Sequence, residues 1–215
     1  MVSKALGISI VLILAAIISS TALLYSFPAM NGKTSNIDMN AVSMPSDFSL
    51  EGGQSVSLEE AMQLANNTGF ALEFPTKIPA GLKLVDIKVT GVGPASPNSS
   101  TPTLGTVVLF YAKEPLPKDA DLPYLLNSGG LSILENKRPT WWDQEVNSFQ
   151  GKTGPDEPAI GVTIDGKPAI YVRNNGILPW RTQLKWADKE VKIHIEAGPN
   201  HFTQNDLIIF AASFK

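Results

Sequence analysis

The chain has 215 residues, 43% of them apolar and 17% charged, with 17 Lys and Arg against 20 Asp and Glu and no cysteine. That length holds one domain plus a tail, and the apolar share suffices for a packed core, which excludes wholesale disorder. The lack of cysteine excludes thiol catalysis, thiolate zinc sites and disulfides, and a net charge of −3 offers no basic surface for nucleic acid.

Residues 5–27 carry no charge, and residues 5–18 read ALGISIVLILAAII. As a helix, that length reaches about 34 Å, enough to cross a hydrocarbon core of about 30 Å. Lys4 precedes the segment and positive charge stays cytoplasmic, so the expected element is a membrane anchor at 1–27 with everything after it outside. A cleaved signal peptide is the competing reading, because Ser20-Thr21-Ala22 offers a cut site of small residues. Apolar character nevertheless runs on through Leu23, Leu24, Tyr25 and Phe27, further than a signal peptide needs.

Residues 28–54 read as a flexible tether without hydrophobic period. Met30, Met39 and Met44 are irregularly spaced and have no histidine beside them, so oxidisable tether residues are favoured over a copper site. The folded domain is expected over 55–215. Ser57 and Glu60 form a capping-box pattern, Leu58, Ala61, Met62 and Ala65 make an apolar stripe widened by Leu64, and Gly69 stops the helix.

A β-rich stretch follows. Pro79-Ala80-Gly81 is a turn, and residues 82–89 alternate, with Leu82, Leu84 and Asp86 on one face and Lys83, Val85, Ile87 and Val89 on the other. Residues 91–103 form a loop of small residues. Residues 106–113 make a strand, 114–123 an irregular proline-punctuated segment, 131–135 a short strand, and 141–149 are ambiguous. Ile160, Val162 and Ile164 alternate into Asp165-Gly166, a strong hairpin signal, and residues 169–172 return. In the next hairpin Trp180, Thr182, Leu184 and Trp186 share a face, answered by Val191, Ile193 and Ile195. Thr203 and Asp206 are placed to cap a last helix through Leu207, Phe210, Ala211 and Phe214, which is favoured over the strand that Ile208 and Ile209 leave open. The expected fold is α+β: an antiparallel sheet of hairpins with the N-terminal and C-terminal helices on one face, behind a single transmembrane helix. Leu58, Met62, Ile164, Leu184, Trp186, Ile193, Phe210 and Phe214 are the expected buried anchors.

Three motifs carry a resemblance: Pro79-x-Gly81-Leu82-x-Leu84, Ile164-x-Gly166-x-x-Ala169-x-Tyr171, and Leu184-x-Trp186 before a strand and a closing apolar helix. Together, over roughly residues 57–215, they resemble a widespread domain of unknown function in the outer parts of membrane-anchored bacterial and archaeal proteins, some anti-sigma-like. The resemblance implies an exported α+β domain and no catalytic residues. With Met1–Lys4 alone before the apolar segment, a cytoplasmic part for holding a sigma factor is not expected.

Chemistry is scarce in the chain. No G-x-S-x-G, H-E-x-x-H or supported S-x-x-K motif occurs. Gly91-Val92-Gly93-Pro94 lacks the third glycine of a phosphate loop, and Asp119 and Asp121 lie in an exposed proline-rich segment. Strand alternation sends Lys192, His194 and Glu196 away from the core, which makes His194 a solvated sheet residue and sets aside a metal site of His194, His201 and Glu196. No cofactor and no metal are expected.

Trp141 and Trp142, with Arg138 before them, are the candidate ligand-binding residues, as a stacking platform for a sugar or a hot spot for a protein. The competing reading packs one indole inside and leaves the other on a rim. Asn98 and Asn66 head N-glycosylation sequons, of use only where the host glycosylates. The expected function is a non-enzymatic, membrane-tethered binding or sensing domain outside the cell. The alternative is an envelope structural or assembly factor handling lipid, glycan or a protein partner. A groove lined by the tryptophans would favour the first, and a flat exposed apolar patch the second.

Overall fold

An eight-stranded antiparallel sheet organises the domain in the computed structural model, which describes residues 53–94, 102–118, 120–154, 156–173 and 180–215. The expected anchor, nearly all of the tether and Asn98 lie outside these residues. No helix among the described residues is long and apolar enough to cross a membrane.

The sheet strands are β1 (Gln54–Ser55), β2 (Lys83–Thr90), β5 (Thr106–Ala112), β6 (Leu131–Lys137), β7 (Ala159–Ile164), β8 (Lys167–Val172), β9 (Thr182–Asp188) and β10 (Val191–Ala197). Their order is β1-β2-β5-β6-β10-β9-β8-β7, so two runs of four strands, each in chain order, meet where β6 pairs with β10. Inside the expected loop at 91–103, β3 (Gly93–Pro94) and β4 (Pro102–Thr103) form a small separate ladder. Gln54, assigned to the tether, already pairs with Val89.

The β7–β8 hairpin turns as its sequence demands. Asp165 and Gly166 both have positive φ, 48° and 80°, the geometry that matches the twist of the flanking strands. Strand β2 departs from simple alternation. A register shift between Leu84 and Asp86 leaves Leu84, Ile87 and Val89 on one face and Asp86 on the other. A bulge inserts one residue and reverses the parity beyond it, which period-2 reading cannot detect.

Helix α1 (Leu58–Thr68) starts at Ser57, whose hydroxyl accepts the Glu60 amide at 3.2 Å, and ends at Gly69 in the left-handed region. Its buried residues are Ala61, Leu64 and Ala65. Met62 is 44% exposed and Leu58 only partly buried, so the inward stripe is rotated from the expected one and centres on Leu64. Helix α4 (Gln204–Ala211) opens on the reciprocal capping box between Thr203 and Asp206. Leu207, Phe210 and Ala211 join the same core as α1, with Ile133, Leu184, Trp186, Ile193 and Ile195 of the sheet. Phe214 lies partly buried with its ring edge-on to Trp186, centroids 5.2 Å apart.

Two helices on the other face were not legible as such. Helix α2 (Leu122–Asn127) is capped by Asp121, which accepts the Tyr124 amide at 2.8 Å, so a residue read as an idle surface acid has a structural role. It packs Leu122, Leu125 and Leu126 against Val85, Val108 and Phe110. Helix α3 (Trp142–Phe149) packs Trp142 and Val146 against Ala159 and Ile170. Trp180 packs with the α2 cluster, on the opposite side of the sheet from Trp186, which corrects their shared assignment. It precedes β9 rather than belonging to it, so the strand's alternation does not reach it.

Candidate functional site

Helices α2 and α3 each cover part of the second face, and between them β6, β10 and β9 carry a seam of polar and charged side chains. The register sets it out in three rows across the strands: Ser132, Glu196 and Gln183; Leu134, His194 and Lys185; Asn136, Lys192 and Ala187. Alternation along each strand brings these residues to one face, opposite Ile133, Ile193, Ile195 and Leu184 in the main core.

The first row is knit by a buried carboxylate. Glu196 accepts Arg181 Nη1 at 2.7 Å and Gln183 Nε2 at 3.0 Å on one oxygen, and Ser132 Oγ at 3.5 Å on the other. In the third row, the Lys192 ammonium stands 3.8 Å from Glu145 Oε2 and 4.9 Å from each of the Trp141 and Trp142 ring centres. In the middle row, His194 Nε2 is 3.6 Å from Glu196 Oε1, too far for a hydrogen bond, and has no other partner.

His194 is therefore not the solvated residue that alternation implied. Its side chain is 19% exposed, because α2 and α3 close over a face that reads in sequence as a solvent face. Burial, and then the cations Lys185, Lys192 and Arg181, hold its imidazole well below the usual histidine range, so it is neutral. Burial, and next Lys192, also lower the Lys185 ammonium, with Glu145 and Glu196 opposing.

The three residues singled out from the sequence fall at the Lys192 end of the seam. Trp142 is 2% exposed and belongs to the α3 core, whereas Trp141 is 53% exposed. The pair divides as two strand neighbours would, but at a helix start rather than in a strand. Arg138 bridges Asp143 at 2.5 Å and donates to the Lys189 carbonyl at 3.3 Å, which fixes the entry to α3. Neither of these contacts involves an indole. Arg181, Gln183, Lys185, Lys192 and Glu145 were missed. On β9 and β10 the sequence signal was polar or charged residues at alternate positions, which ordinarily mark a wet face, and Glu145 on α3 carried no signal.

A second feature lies elsewhere. A groove of about 400 Å³ runs between the Pro79 turn and the start of α4, lined by Lys77, Ile78, Pro79, Phe202, Asp206 and Ile209 among others. It contains none of the tryptophans. His201 borders it and donates from Nε2 to the Asn127 carbonyl at 2.7 Å, a structural contact apart from Glu196 and His194. Comparison with protein-family models, curated proteins and solved structures finds no match.

Proposed function

We propose that this chain is a membrane-tethered binding or sensing domain on the outer side of the membrane, without enzymatic activity, and that the seam between α2 and α3 is where it binds. One observation carries the binding site. The seam joins the two halves of the sheet and holds, half-covered, more hydrogen-bonding and charged groups than it satisfies within itself. Buried polar groups are normally partnered, so groups left over at a junction between covered surfaces point to a ligand. The exposed face of Trp141 at one end adds a surface on which a sugar ring or an aromatic group can rest.

The uncharged run at 5–27 after Lys4 supports the tether and its direction. The resemblance over roughly residues 57–215 supports the same placing. Protease added to intact cells should digest the domain that follows residue 53. Full protection from a protease that cuts the detergent-solubilised chain would overturn the outward orientation.

The alternative, an envelope structural or assembly factor, is favoured by one observation. Ile78 and Ile209 are 42% and 63% exposed beside the second groove, an apolar edge that a protein or lipid partner could cover. Crosslinking from Ile209 to an envelope component, with no small ligand engaging the seam, would establish it instead.

A further inference from the structure

The next step rests on the seam being the binding site and concerns the chemistry of what it takes. Two of its three rows are electrostatically closed. Glu196 gathers Arg181, Gln183 and Ser132, and Lys192 has Glu145 and two indole faces. The middle row is open. Lys185 stands directly across from His194 and has no hydrogen bond or ion pair with any described residue. Three cations, Arg181, Lys185 and Lys192, share the seam with two carboxylates, Glu145 and Glu196. His194, being neutral, adds no charge.

Donors predominate among the leftover groups; the exception is Glu145 Oε2, which has no hydrogen bond but faces Lys192 at 3.8 Å. Lys185 offers three donors, and Arg181 holds Glu196 through Nη1 while its Nε is buried without a partner. His194 Nε2 is likewise partnerless and becomes a donor in one of the two neutral tautomers. A half-covered ammonium with no directly paired counter-charge is costly, and nearby cations raise the cost while Glu145 and Glu196 offset part of it. An anion bearing several oxygens relieves it and can accept from more than one of these donors at once, with charge-assisted bonds that are about twice as strong as neutral ones. A second carboxylate from the protein would serve, but Glu196 is already hydrogen-bonded and Glu145 Oε2 faces Lys192 at 3.8 Å.

We infer that the seam binds an oxyanion, a carboxylate or a phosphate, seated over Lys185 and accepting from Lys185 Nζ, with the charges of Arg181 and Lys192 on either side adding to the attraction. Two sources share that chemistry. Free phosphate would use the middle row alone. A carboxylated sugar would also reach Trp141 beside Lys192, one row further along β10, a step of about 7 Å.

The test is calorimetric titration of the full chain in detergent with sodium phosphate, sodium glucuronate and glucose. Binding of either anion with glucose silent is expected, and Lys185→Met should weaken it about tenfold or more while Lys185→Arg restores it. Loss of glucuronate but not phosphate binding in Trp141→Ala identifies the sugar acid; retention of both identifies the bare anion. If both anions are silent, or Lys185→Met leaves their affinity unchanged, the inference is overturned. Glucose binding as well as glucuronate, lost in Trp141→Ala and kept in Lys185→Met, would keep the seam as the site and overturn only its anionic ligand. Should Lys185→Met fail to fold, sodium chloride must weaken anion binding to the wild-type chain, and salt-insensitive binding overturns the proposal.

Discussion

The side chain of Glu135 accepts the backbone amide of Glu73 at 2.8 Å, in the middle of the main core. One carboxyl oxygen is thereby used and the other has no partner, at a residue with no exposed surface. Burial pushes the Glu135 carboxyl up to about 8, against the pull of the Glu73 amide and with a smaller push from the Glu73 charge.

A carboxyl raised in the folded state keeps its proton after the unfolded chain has released it. Its contribution is therefore complete below the ordinary value of 4.5 and is lost as pH climbs through about 8. Each unit of that window is worth about 1.4 kcal/mol. Denaturant unfolding at steps from pH 5 to 9 should show Glu135→Gln losing less stability on alkalinisation than the wild-type chain. Parallel curves for the two proteins would refute it.

His194 acts in the opposite direction. A histidine lowered by burial refuses a proton that the unfolded chain takes up, so its contribution is present above 6.5 and is lost as pH falls below it. Below 6.5 this loss opposes the gain from Glu135, and the stability curve should flatten where the two meet. The His194 ring resonances should stay those of a neutral imidazole down to pH 5.5. A titration midpoint near 6.5 would show that the ring is solvated after all.

Core truncation separates the observed α1 stripe from the expected one. Trp186→Ala removes a fully buried indole that also meets Phe214 edge-on, at a cost of about 3–5 kcal/mol. Met62→Ala, at a position 44% exposed, should cost less than about 0.5 kcal/mol. Comparable losses at both sites would mean that α1 sits rotated from the position described.

Glycosylation is ordered by the same helix. Thr68, the hydroxyl residue of the Asn66 sequon, donates to the Leu64 carbonyl and accepts the Leu104 amide, each at 2.9 Å. That sequon is wound into α1 and its hydroxyl is engaged, whereas Asn98 sits in a small-residue sequence suited to carrying a glycan. In a host with N-glycosylation, glycopeptide mapping should find Asn98 modified before Asn66. The reverse order would contradict it.

What could be read beforehand follows from where the determining interactions lie. The β7–β8 turn and the caps of α1 and α4 are local chemistry, and Asp165-Gly166, Ser57 and Thr203 announce them. The bulge in β2 depends on its partner β5, and α2 and α3 are too short for a stripe to stand out. The candidate site was hidden by that second failure. Once α2 and α3 are absent from the reading, Lys185, Lys192 and His194 face water and carry no message. Trp141 was found because a bulky aromatic beside another is conspicuous in any context, although its neighbour Arg138 proved to brace a helix start.

The junction of β6 with β10 also has a kinetic side. Within each run of four strands, pairing joins segments that are near in the chain, while the ladder from Val191 with Lys137 to Ala197 with Leu131 closes a long loop in one step. Long loops close slowly relative to hairpins, so each half has a route to form before the two zip together. Until they do, β6 has an open edge and Glu135 lacks one wall of its burial. The charged side chains of the seam lie on β9, β10 and α3 and beside β9, while β6 adds Ser132, Leu134 and Asn136 only when the halves pair. The seam therefore has its full width, with Ser132 beside Glu196 and Leu134 beside His194, only in a chain whose two halves have paired.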